Sequence, residues 1–117
     1  VIGPDIIAVE DDTDFGKIIE INLNCFGMRL RERISWMSVL RSNIDNRFGG
    51  VVPKVITLDN DIHGGSVENA GIISRLKKEF PNIKLVGLSC CPLKGVDVDL
   101  TKMNVRELPK TIKQLVN

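Results

Sequence analysis

The 117-residue chain has no apolar run approaching the roughly 18 residues that cross a bilayer, which excludes a membrane-spanning helix. It has no excess of charge either: 16 basic and 15 acidic side chains leave a formal charge of +1. Such a balance gives no footprint for non-specific nucleic-acid binding, so direct nucleic-acid binding is not expected. Cysteine is scarce. Cys25, Cys90 and Cys91 make an odd number with no CxxC spacing, which argues against a disulfide framework or a zinc site. Adjacent Cys90 and Cys91 are expected to pack as small apolar side chains. No internal repeat, low-complexity tract or Gly/Ser linker divides the chain, and VIGPDIIAVEDD lacks the basic start and cleavage site of a signal peptide. The expectation is a cytoplasmic protein with a single domain over residues 1–117.

What is present is an alternation of strand and helix patterns. Residues 5–9, 55–58 and 83–88 are short, nearly continuous apolar runs rich in branched side chains, as in strands covered on both faces. Residues 29–34 (RLRERI) and 96–100 (VDVDL) alternate instead, as edge strands with one wet face do. Between them, Phe15, Ile18, Ile19, Leu23 and Phe26 fall on one helical face. Trp36, Val39, Leu40 and Ile44 repeat the pattern, as do Ala70, Ile73, Leu76 and Phe80, and finally Leu108, Ile112 and Leu115. These side chains, Trp36 included, are expected in the core. The spacing of Asn104 and Glu107 fits a capping box for the last helix.

Regular strand–helix alternation at this length predicts an α/β fold: a doubly wound, flavodoxin-like, five-stranded parallel sheet in the order 2-1-3-4-5. One joint departs from the rule. Only Ser89 to Gly95 separates the fourth and fifth strands, whereas a parallel crossover normally takes a dozen residues or so. Seven extended residues reach about 23 Å, so a short loop is expected where a helix normally sits.

Ligands of such sheets bind beyond the carboxyl ends of the strands. There the first strand runs into Glu10-Asp11-Asp12, the third into Asp59-Asn60-Asp61, the fourth into Ser89 and the fifth into Thr101-Lys102. Converging carboxylates repel one another, and a hard divalent cation such as Mg2+, with its preference for oxygen ligands, relieves them. A lysine and a hydroxyl on the same rim suit phosphoryl oxygens. Together these are the parts of phosphoryl transfer to a carboxylate nucleophile.

Over nearly its whole length the chain resembles the receiver domain of bacterial two-component response regulators. IIAVEDD at 6–12 resembles the family's first strand and acidic pair, which falls on Glu10 and Asp11; VITLD at 55–59 resembles the strand that presents the phosphoacceptor. The resemblance implies that Asp59 is the phosphoacceptor, that Glu10, Asp11, Asp59 and the backbone carbonyl of Asp61 hold Mg2+, and that Ser89 in LVGLS and Lys102 in LTK contact the phosphoryl group. It implies a histidine kinase or phosphotransfer protein as donor, a downstream protein as target, and no enzymatic activity beyond self-phosphorylation and self-dephosphorylation.

The sequence departs from the family pattern at His63, where proline is usual, at Asp99, where an aromatic switch residue is usual, at Met103, where proline commonly follows the lysine, and in the missing fourth helix. These departures sustain a second expectation, a pseudo-receiver that binds partners without switching. Asp59-Asn60-Asp61 also resembles the DxD motif of haloacid-dehalogenase-type phosphatases, but that family's further acids come late in the chain and here they precede it. Asp12 or Thr13 is expected to cap the first helix, and His63 to line the pocket mouth. No output domain follows residue 117, so either the chain acts by binding partners or it is a fragment.

Overall fold

A computed structural model describes residues 3–117. Its main sheet is built from β1 (Ile6–Val9), β2 (Leu30–Ile34), β3 (Val55–Leu58), β6 (Lys84–Gly87) and β7 (Val98–Asp99). All pair in parallel, in the spatial order β2-β1-β3-β6-β7. This is the 2-1-3-4-5 order expected from the pattern. The remaining two strands, β4 (Asp61–Ile62) and β5 (Gly65–Ser66), form a small antiparallel hairpin directly after β3. Among the described residues, four α-helices complete the fold: α1 (Thr13–Asn24), α2 (Met37–Asp45), α3 (Ile72–Glu79) and α4 (Leu108–Val116).

Every residue of β1 and β3 is buried, which explains their unbroken apolar runs. Ile7, Val9, Ile56, Leu58 and Leu85 face α2 and α3, among a cluster with Leu40, Ile44 and Leu76. Ile6, Ala8, Val55 and Val86 face the other way, onto Ile19, Leu23, Leu108 and Ile112 of α1 and α4. At about 1.5–3 kcal/mol for each fully buried branched side chain, these two layers are the main source of stability.

Several expected placements are corrected. Trp36 is 54% exposed and not core, because its backbone is extended and α2 begins only at Met37; the buried face of α2 is Met37, Leu40 and Ile44. Phe26 is 56% exposed because α1 ends two residues earlier; Ile18 and Val39 also face outward. Ala70 lies outside α3, since Gly71 in a left-handed conformation (φ 68°) turns the chain before the helix starts. Asn104 does not cap α4. It lies in a 3-10 turn, Lys102–Glu107, and its side-chain amide donates to the Leu100 carbonyl at 2.8 Å.

The link between β6 and β7 is a succession of bends without a helix, as its length required. Ser89 and Leu93 are buried and anchor it, while Cys90 and Cys91 between them are exposed. The expectation that these cysteines pack inside is therefore overturned: no helix lies over the loop, and both side chains are exposed among the described residues.

Candidate functional site

Backbone bonds carry the parallel ladder past the strand ends and fix the site. The Glu10 N–H donates to the Ile34 carbonyl at 2.9 Å, and the Asp59 N–H to the Val9 carbonyl at 3.0 Å. On the other side, Leu88 N–H donates to Leu58 and Lys102 N–H to Ser89, at 2.8 and 3.0 Å. Four strand ends thereby converge at one rim.

There, one carboxylate oxygen from each of Glu10, Asp11 and Asp59 lies within 4.8 Å of the others. Lys102 Nζ reaches Glu10 Oε2 and Asp59 Oδ2, both at 3.2 Å, and lies 4.8 Å from the centre of the Phe15 ring. Glu10 is wholly buried and Asp59 nearly so. Glu10 Oε2 also accepts from the Asp12 N–H at 3.1 Å, but Glu10 Oε1 is buried with no hydrogen-bond partner.

Burial pushes the Glu10 carboxyl up to about 7, and the Asp59 charge adds to the effect against the opposing Asp12 amide and Lys102. For Lys102, desolvation pulls the ammonium down, but the charges of Glu10 and Asp59 outweigh it and the net direction is up. The pocket therefore holds more negative charge than its one lysine offsets. An orphaned Glu10 oxygen among three carboxylates is a donor set that fits a hard divalent cation.

Asp12 caps α1, accepting from the Asp14 and Phe15 amides at 2.9 and 3.2 Å, as the sequence indicated. Ser89 is buried, with its Oγ 3.4 Å from the Asn60 amide that donates to it, on the residue next to Asp59. Asp61 opens β4, with its side chain exposed. His63 does stand at the mouth: Nδ1 is 3.9 Å from Asp11 Oδ2, and its ring lies 4.9 Å from that of Trp36. Its backbone joins the β2–α2 connection, accepting from Met37 N–H at 2.8 Å and donating to the Ser35 carbonyl at 3.1 Å. Asp99 packs its Oδ1, buried and unpartnered, against Gly87, where any Cβ would collide with it.

Three contributors are not apparent in the sequence. Asn60 Oδ1 accepts from Ser66 Oγ and the Glu68 N–H, tying the hairpin to the pocket. Trp36 packs on His63. Thr101 carries a positive φ of 63° immediately before Lys102, a conformation costing a β-branched residue about 1–3 kcal/mol. No local motif announces these roles, because each depends on a contact or strain that only the closed fold imposes.

No protein-family model and no curated protein matches the chain. Solved structures match it over almost its full length. A DNA-binding response regulator of the LuxR family from Staphylococcus aureus is 17% identical, with a TM-score of 0.75 over 98% of this chain and 100% of that one. The BeF3-activated DrrB receiver domain is 19% identical, with a TM-score of 0.73 over 97% of both chains. The Mn(2+)-bound form of the response regulator Rcp1 is 16% identical, with a TM-score of 0.72 over 97% of this chain and 91% of that one. The chain has the receiver-domain fold of response regulators, at low sequence identity to them.

Proposed function

We propose that the chain is a phosphoacceptor signalling domain of a two-component phosphorelay, with Asp59 as the acceptor. The observation that carries this reading is the pairing of a single ammonium, Lys102, with both Glu10 and Asp59, while the second Glu10 oxygen stays buried and unpartnered beside Asp11. Glu10, Asp11, Asp59 and the Asp61 carbonyl would hold Mg2+, which when bound supplies charge neutralisation to the phosphoryl oxygens.

The rest of the chemistry belongs to side chains. A carboxylate oxygen of Asp59 attacks phosphorus, and the bond from phosphorus to the donor breaks, its electron pair leaving with the donor. Lys102 moves from its carboxylate partners toward a phosphoryl oxygen, and the Ser89 hydroxyl, no longer engaged by the Asn60 amide, donates to another. A histidine kinase or phosphotransfer protein is the donor, and a downstream protein reads the altered surface. The chain acts as one regulatory domain and not as an enzyme on external substrates.

A second reading, an interaction module that does not switch, is favoured by the absence of a helix between β6 and β7 and by Asp99 against Gly87. Intact mass after incubation with Mg2+ and acetyl phosphate separates the two. Addition of one phosphoryl group to the parent and none to Asp59→Asn is expected; a parent that gains none sinks the phosphoacceptor reading and leaves the interaction module.

A further inference from the structure

Glu10 and Asp59 stand one residue past their strands, each with only its backbone N–H still donating to a neighbouring strand. β1 pairs with β2 only as far as Val9 opposite Ile34, and the Glu10 N–H is then taken by the Ile34 carbonyl. The carbonyl of Glu10 points elsewhere, and Arg33 Nη1 donates to it at 2.8 Å. Arg33 forms no ion pair among the described residues, and its side-chain hydrogen bond goes to the carbonyl of the peptide that joins Glu10 to Asp11.

To reach that peptide from β2, Arg33 passes over Gly16 in the first turns of α1. A Cβ built on Gly16 would lie 2.6 Å from Arg33 Cδ and 3.1 Å from Nε. Gly16 is helical, with no positive φ to call for glycine, and glycine inside a helix is less stable than alanine by about 0.5–1 kcal/mol. The local cost is explained by the space it leaves.

We propose that Arg33, admitted by the bare Cα of Gly16, is a positioning residue for the pocket: by gripping the Glu10 carbonyl it orients the 10–11 peptide so that both acids turn toward Asp59. The inference deepens the proposed function and rests on the pocket binding a divalent cation. An outer partner that orients metal ligands typically accounts for about 10- to 100-fold in metal affinity. Arginine suits the task because its planar fork gives a directed, charge-assisted bond to the oxygen.

The test uses the whole chain and five proteins: the parent, Gly16→Ala, Arg33→Ala, Arg33→Lys and the double variant Gly16→Ala/Arg33→Ala. Two quantities are measured, the 13C resonance of the Glu10 carbonyl without metal and Mg2+ affinity by calorimetry. Gly16→Ala and Arg33→Ala should each move the Glu10 carbonyl resonance and weaken Mg2+ by about 10-fold or more. The double variant should be no worse than Arg33→Ala, and Arg33→Lys should recover part of the loss. Gly16→Ala should keep or raise the urea midpoint, so a general loss of fold cannot account for its weaker binding.

A Glu10 resonance that ignores Arg33→Ala, or a Gly16→Ala chain that binds Mg2+ like the parent, overturns the positioning role. Additive losses in the double variant overturn the coupling of Gly16 to Arg33. A parent that binds no Mg2+ overturns the cation reading itself; that failure is told apart because the carbonyl resonance needs no metal.

Discussion

At the scale of single residues the pocket stores unfavourable charge. Glu10 is wholly buried with its carboxyl pushed up to about 7 from an ordinary 4.5. A group raised in the folded state contributes stability that is present below its unfolded value and lost as pH rises through the folded one. The metal-free protein should therefore lose stability between about pH 4.5 and pH 7. Glu10→Gln removes this penalty: at pH 8 without metal the variant should be more stable than the parent by up to about 3 kcal/mol, with the difference vanishing below pH 5. Urea unfolding at the two pH values measures it, and a variant less stable at pH 8 would contradict the assignment. The same substitution should abolish Mg2+ affinity.

Asp97 has the opposite sign. Partial burial would raise its carboxyl, but the Lys77 ammonium at 2.5 Å and the Leu85 N–H at 2.7 Å outweigh burial and lower it. Its contribution is present above the ordinary value of 3.8 and disappears as pH falls through the lowered folded one. Asp97→Ala should cost about 1–2 kcal/mol at pH 7, because its carboxylate accepts from one ammonium and one backbone amide at a partly wet position just before the edge strand, and progressively less in acid. A pH-independent difference between the two proteins would point to packing instead.

At the scale of elements, the two links that flank the pocket behave differently. The connection after β3 is tightly held: β4 and β5 pair, Asn60 bonds into the hairpin, and His63 joins the β2–α2 connection. The connection after β6 is anchored by three buried residues, Leu88, Ser89 and Leu93, with two bare thiols between the last two. Cys90 and Cys91 should both react with a maleimide in the native protein at rates within about an order of magnitude of the unfolded chain, since exposure governs access to a thiolate. Protection of either, read by mass spectrometry of digested protein, would mean that something covers the loop.

At the scale of the molecule, cation binding should be visible as stability. A ligand at ten times its Kd that binds only the folded state stabilises it by about 1.4 kcal/mol. For a domain of this size that is a rise of about 5 °C in the unfolding midpoint. Thermal scans of the parent with Mg2+ should show it, while Asp59→Asn and Glu10→Gln should show little. Equal shifts in all three would place the ion elsewhere on the surface.

Periodicity and order, which are local properties, carried the sheet order and most of the pocket. β1 and β3 are continuous apolar runs because two helical layers cover them, and in a parallel α/β sheet that pattern alone puts Glu10, Asp59, Ser89 and Lys102 at one rim. The chain length between Ser89 and Gly95 likewise determined that no helix fits there. Tertiary structure decided what depends on contacts between distant segments. Trp36 sits outside because α2 starts one residue later than its apolar pattern, and Cys90 and Cys91 are bare because no element lies over their loop. Thr101 has a positive φ that no local pattern calls for, and the bare Cα of Gly16 leaves the space that an arginine from β2 crosses on the way to the Glu10 carbonyl. A helical or strand pattern records which face is apolar; it carries no record of which side chain from another element will occupy the space beside a given Cα.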